Sequence, residues 1–193
     1  MYIEDPRRGI RLNILVPVGL LFLVLLNGFR VISVMLLAAV VHEAGHILAA
    51  LICGATVERM DIELWGGRMY YMGARSYQRE FVISLGGIAA NLLAAPLGLI
   101  PVFGIWGKLF FCACLCYGLV NIIPAKTLDG GEALRCILAL NCDDSAAYSA
   151  LNTVNTLSVM FLCAIGLVLS ALTGFNSSVL MLAVITVVLA AEQ

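Results

Sequence analysis

The sequence predicts an all-α polytopic membrane protein of about six transmembrane helices, with a small membrane-associated β-hairpin after the second span. Three observations carry that prediction. Hydrophobic residues make up 62% of the 193, charged residues only 12%, and the mean hydropathy is +1.03, far above a soluble domain of this length. Uncharged runs cover 12–29, 81–107, 109–125 and 145–191, and one crossing needs about 20 mostly apolar residues. The basic residues fall between these runs with a strong bias to alternate loops.

Taken in order, the spans are expected at about 12–29, 31–53, 81–103, 105–123, 153–172 and 176–191. Arg30 alone separates the first two, which predicts a tight helical hairpin. The last run is long enough for two spans and breaks at Thr173-Gly174-Phe175-Asn176-Ser177-Ser178, whose Gly, Asn and Ser are turn formers. Residues 130–140 are too few to cross and predict a short helix or re-entrant piece. With this layout Arg7, Arg8, Arg11, Arg59, Arg68, Arg75, Arg79, Lys126 and Arg135 share one side, against Arg30 and Lys108 on the other. The bias predicts a multi-pass cell-membrane protein with both termini and the larger loops in the cytoplasm. A cleaved signal peptide is the competing reading of the N-terminus, but no small-residue cleavage site follows the run, which favours an uncleaved span. The chain is expected to be a single integral-membrane domain, 1–193, with no separate soluble domain.

Composition also excludes functions. A formal net charge of −1 with no basic stripe gives nucleic-acid binding no support. Seven cysteines show no paired metal spacing and no disulfide framework. Cys112, Cys114 and Cys116 alternate along a helix, so their thiols are about 200° apart and cannot converge on one ion.

The chemistry is concentrated in "VVHEAGHILAA", residues 40–50, where the only two histidines of the chain stand four apart inside a span. Residues i and i+4 share a helix face, so His42 and His46 can aim two ring nitrogens at one ion, about 2.0–2.1 Å from each. Glu43, one position on, is placed to take a proton from water at the ion's open position rather than to bind the ion. Ionisable residues within a span are costly to insert and by default functional.

A third ligand is offered by "NIIPAKTLDGG", residues 121–131. Asp129 would complete a site of two imidazoles, one carboxylate and one open position, the pattern of catalytic zinc. Pro124 cannot continue a helix, and Gly130-Gly131 permit a bend that returns Asp129 toward the second span. The alternative for Asp129 is a helix cap for "GEALRCILAL".

Together, "HEAGH" and "NIIPAKTLDGG" resemble the two motifs of the site-2 proteases, intramembrane zinc metalloproteases. The resemblance implies one Zn²⁺ per chain held by His42, His46 and Asp129, Glu43 as general base, and Asn121 helping to hold the scissile carbonyl. "LWGGRMYY" (64–71) is similar to the glycine-turned strand that follows the metal span in that family. "SLGGIAANLLAA" (84–95) is similar to its G-P-x-x-N stretch, with Gly87 and Asn91 in register and Ile88 where Pro is usual. Small-residue packing is the expected role of Gly86, Gly87, Ala90 and Ala94. The compact layout resembles the sporulation-type branch, which processes a membrane-tethered sigma-factor precursor.

The expected activity is therefore hydrolysis of peptide bonds in membrane-embedded or membrane-tethered proteins, near the cytoplasmic face. A membrane zinc transporter is the alternative, but spans five and six lack the run of polar residues that a conduction path needs. Residues 57–64 alternate apolar and charged, the pattern of a half-buried strand, and Trp65-Gly66-Gly67 turns the chain. This hairpin is expected to add the substrate as a further strand, with Ile62, Leu64, Trp65, Gly66 and Gly67 as the binding residues.

Overall fold

The computed structural model describes residues 2–5, 9–13, 15–63, 66–73 and 76–172. Strands β1 (Tyr2–Asp5) and β2 (Ile10–Asn13) open the chain, followed by helices α1 (Leu15–Asn27) and α2 (Phe29–Ile52). Strands β3 (Thr56–Glu63) and β4 (Gly66–Met72) lead into α3 (Tyr77–Ala94), α4 (Gly104–Asn121), α5 (Asp129–Asn141) and α6 (Asp144–Leu172). The chain divides into two compact units, residues 1–118 and 119–193, and α4 carries the backbone from the first to the second.

Among the described residues, four segments are long and apolar enough to cross a membrane: 29–52, 77–99, 101–121 and 144–172. They correspond to the second to fifth expected spans, each beginning earlier in the chain than the charges suggested. The first expected span is different. Residues 12 and 13 of it belong to strand β2, and α1 has 13 residues, about 20 Å of helix against a hydrocarbon core of roughly 30 Å. The expected sixth span, 176–191, lies outside the described residues.

The distribution of side chains is that of a membrane protein, with polar groups inside and large apolar groups outside. His42, His46, Ser84 and Asn91 are buried, whereas Leu48, Ile52, Leu93, Val102 and Leu167 are exposed. In water such a surface would be an aggregation patch; in lipid it is the solvated face. The buried positions of α2 include Val34, Ala38, His42, Gly45, His46 and Ala49, a stripe at helical spacing that carries both imidazoles inward.

That stripe meets α3 through small residues. A Cβ on Gly45 would overlap the carbonyl oxygen of Gly86 and the methyl of Ala90, and one on Gly86 would lie 2.6 Å from the methyl of Ala49. The two backbones are therefore in direct contact, as small-xxx-small interfaces allow when lipid supplies no hydrophobic drive. Ala49, Ala50, Ala55 and Ile83 close one end of this interface, and Ala38, Ala95 and Cys114 pack where α4 joins it. Cys114 is buried while Cys112 and Cys116 are exposed, and all seven thiols are free. Helix α3 starts at Ser76, whose side chain accepts from the Gln78 N–H at 3.3 Å, and passes into 3₁₀ turns at Pro96 and Pro101.

The four strands form one sheet in the order β1-β2-β3-β4, with β2 and β3 parallel and the other pairs antiparallel. Ile10 pairs with Met60 and Leu12 with Ile62, so the start of α1 and the end of α2 issue from one sheet. This closes the expected helical hairpin, which turns at Gly28 with φ 81°, a conformation open to glycine at no steric cost. Two consequences correct the sequence reading. The hairpin is half of a four-stranded sheet, because β1 and β2 were hidden in the N-terminal arm. Strand β3 is paired on both sides, so Ile62 has no open edge to offer, and among the described residues the edge strands are β4 and β1. Leu64 and Trp65 lie outside the described residues.

A register shift between Val57 and Arg59 sets Arg59 opposite Tyr70. The guanidinium lies 4.1 Å from the ring centroid and 3.1 Å from the Asp61 carboxylate. The hydrogen bond to Tyr70, then the Asp61 charge, raise the Arg59 pKa and keep it a cation. Asp61 is thereby buried on a face that the alternation had assigned to solvent.

The contact between α2 and α3 generates a prediction. Gly45→Val should destabilise the fold by about 1–3 kcal/mol or more, because the clash is with backbone that cannot rotate away. Thermal unfolding in detergent measures it, and an unchanged midpoint would refute the close approach.

Candidate metal centre

His42 and His46 are held between α2 and α3, 3% and 8% exposed. Their Nε2 atoms are 3.1 Å apart and the rings meet edge to face with centroids at 4.7 Å. Two nitrogens at that separation can share one cation with bonds of about 2.0–2.1 Å. The remaining nitrogens have separate partners. Nδ1 of His46 lies 2.8 Å from the carbonyl oxygen of Ile83. A carbonyl only accepts, so Nδ1 of His46 is the donor in that hydrogen bond. Nδ1 of His42 lies 3.4 Å from Nδ2 of Asn91, a residue with no exposed surface. The Asn91 Oδ1 atom is buried without a hydrogen-bond partner, which costs about 1–3 kcal/mol in a protein interior.

Gly87 makes room for the pair. A Cβ there would overlap Nε2 of His46 and come within 2.8 Å of Nε2 of His42. The nitrogens thus face a hollow on α3 that no other residue type leaves open. Packing was the expected role of Gly87; the structure puts it against the imidazoles instead, while Gly86 and Ala90 do serve packing. Tyr117 of α4 also contacts His42, ring to ring with centroids 4.9 Å apart. Sequence reading missed it, although its polar tip inside an apolar span and its spacing of four before Asn121 were available signals.

Glu43 is half-buried and faces the sheet. A Cβ on Gly67 would lie 3.0 Å from the carboxyl carbon and from both oxygens. The first residues of β4 therefore run past the Glu43 carboxylate, and glycine there is what lets the backbone approach. Of the expected substrate-binding residues, the structure brings Gly67 to the centre. Gly66 pairs with Glu63, and Ile62 pairs with Gly67 across the hairpin.

The second unit carries the other two expected residues. Asn121 is the last residue of α4, and Asp129 the first of α5. Leu128 occupies the N-cap of α5 with extended backbone and no side-chain cap, so Asp129 is not the capping residue. As a first-turn acid it is favoured by the helix dipole. Gly130 and Gly131 are helical rather than bent. A Cβ on them would overlap the carbonyl oxygens of Ile122 and Ala125, so they let the loop after Asn121 fold onto the start of α5. That loop is pinned where the Lys126 N–H donates to Oδ1 of Asn155 at 2.8 Å.

The donor set in the first unit fits a divalent cation such as zinc. It has two convergent imidazole nitrogens and a hollow at Gly87. No protein-family model matches the chain, and no curated protein matches it. Among solved structures, the fold is similar to that of the Site-2 Protease from Methanocaldococcus jannaschii, with a TM-score of 0.67 over 100% of this chain and 94% of that one, at 19% sequence identity.

Proposed function

We propose that this protein is an intramembrane zinc metalloprotease of the site-2 type, cutting peptide bonds in membrane-embedded or membrane-tethered proteins. The observation that carries the proposal is the buried His42–His46 pair, with its Nε2 atoms 3.1 Å apart beside the Glu43 carboxylate's helix position, in a fold similar to a site-2 protease. Asp129 is the third ligand we assign, each of the three offering one ligand atom. Its support is the 121–131 motif and its position in the first turn of α5. A zinc ion held there supplies a Lewis acid for the scissile carbonyl and an acidified water.

The residues of the chain have distinct tasks. Glu43 takes the proton of the attacking water and returns it to the leaving amine; it stands where β4 passes. Asn121, one helical turn after Tyr117, donates its amide hydrogen to the carbonyl oxygen as negative charge develops. The substrate must be unwound first, because lipid offers no partners for freed backbone groups. Strand β4 answers that need, since it is an edge strand whose Gly67 lies against Glu43. A substrate strand added to β4 would have its backbone delivered toward the base. The basic residues of 54–80 and 124–152 support a cytoplasmic location for that edge. A tethered regulator, as in the sporulation-type branch, is the substrate class we favour.

Two experiments test this reading. Asp129→Ala should strip most of the metal from purified protein, whereas Glu43→Gln should keep it and lose cleavage of a helical membrane substrate. Metal analysis showing the reverse pattern would overturn the assignment. Asn121→Ala should keep zinc and slow cleavage about 10²–10³-fold, as loss of one such donor does.

Single prolines along 68–72 remove backbone donors one at a time. Those facing the open edge should slow cleavage without loss of zinc, and unchanged rates at every folded position would refute substrate pairing with β4.

A further inference from the structure

Asn155 stands well inside α6, a helix apolar enough to cross a membrane, about 16 Å along it from Asp144. A side-chain amide there needs a partner, because lipid offers none. Here the partner is main chain. Oδ1 of Asn155 accepts the N–H of Lys126 at 2.8 Å, and since an N–H only donates, the amide presents its oxygen to the loop. In a helix continuing from α4, that N–H would bond to the Ile122 carbonyl, but Pro124 breaks the helix and the Ile122 carbonyl lies against Gly130. The N–H groups of Ile123, Ala125 and Leu128 are met by the carbonyls of Val120, Ile123 and Ala125. That of Lys126 is met from α6. Its side chain goes the same way, with Nζ 5.7 Å from the centroid of the Tyr148 ring. Tyr148 and Asn155 are seven apart on one face of α6, so the helix grips a single loop residue by backbone and side chain at once.

We propose that Asn155 is a positioning residue for metal binding: through the Lys126 N–H it fixes the loop 122–128 and so sets where the Asp129 carboxylate stands. Asp129 follows Lys126 by three residues, and the hydrogen bonds run on without a gap. Leu128 donates to Ala125, and its own carbonyl accepts from Gly131 and Glu132 in the first turn of α5. A displacement at Lys126 is therefore carried into the turn that holds the carboxylate. By linkage, a tether that helps Asp129 bind the metal must itself tighten when the metal binds. The inference rests on the zinc reading above, in which Asp129 is a ligand.

Lys108 and Lys126 are the only lysines of the chain, so ¹⁵N-lysine labelling of the full-length protein in detergent gives two backbone amide signals, told apart in Lys108→Arg. The Lys126 amide should exchange slowly with deuterium in wild type and more slowly still with zinc bound, and Asp129→Ala should remove the zinc effect. Asn155→Leu, similar in shape but without an acceptor, should speed that exchange about tenfold and weaken zinc binding, read by chelator competition, about 10–100-fold. Asn155→Asp keeps the acceptor and should stay within a few-fold of wild type in both. Added to Asp129→Ala, Asn155→Leu should cost no further affinity, whereas a merely structural residue would cost the same again. A wild-type Lys126 amide that exchanges like an unprotected one, or exchange indifferent to bound zinc, would overturn the assignment without recourse to an Asn155 variant that fails to fold. Losses of equal size in the Leu and Asp variants, or a full further loss in the double variant, would overturn it as well. Wild type that takes up no zinc, or Asp129→Ala that keeps it fully, would instead overturn the zinc reading itself.

Discussion

The first unit depends on backbone contact between α2 and α3. Gly45 lies against the Gly86 carbonyl and Gly87 against both imidazoles, so nothing larger than hydrogen fits at these positions. In a bilayer, helices are not driven together by exclusion from water, and close van der Waals packing has to supply the association. The same closeness serves chemistry. It brings the Ile83 carbonyl to His46 and the Asn91 amide to His42, partners that a wider interface would leave out of hydrogen-bond range.

The sheet is tied to that helix pair by connectivity. Strand β2 leads directly into α1, α2 leads directly into β3, and the parallel pairing of β2 with β3 fixes both ends of the helical hairpin together. Strand β4 is thereby held beside Glu43 one residue from the first histidine. A short α1 suits this arrangement, since its task is to return the chain to α2 rather than to line the centre.

The second unit solves a different problem, that of holding a carboxylate at a helix start after a proline-broken span. The loop after Asn121 is folded onto α5 by two glycines that admit its carbonyls, and Asn155 of α6 fastens it at Lys126. The Asp129 carboxylate therefore belongs to the first turn of α5, where the exposed N–H groups favour its negative charge.

The sequence by itself determined the membrane class, four of the spans, the short helix at 129–141, and the candidate residues His42, Glu43, His46, Asn121 and Asp129. These are legible because hydropathy and the i, i+4 rule act within a single helix and need no partner. The strands at 2–5 and 10–13, the interior position of β3, and the placement of Gly87, Gly67, Asn91 and Tyr117 were decided only by tertiary structure. Each depends on which segment lies across from it. A glycine reads alike whether it faces lipid, a neighbouring helix or an imidazole, and a two-strand hairpin reads alike whether its outer edge is open or paired. Similarly, the buried Asp61 has its ion pair with an Arg59 that a register shift sets opposite Tyr70, a pairing that no periodicity encodes.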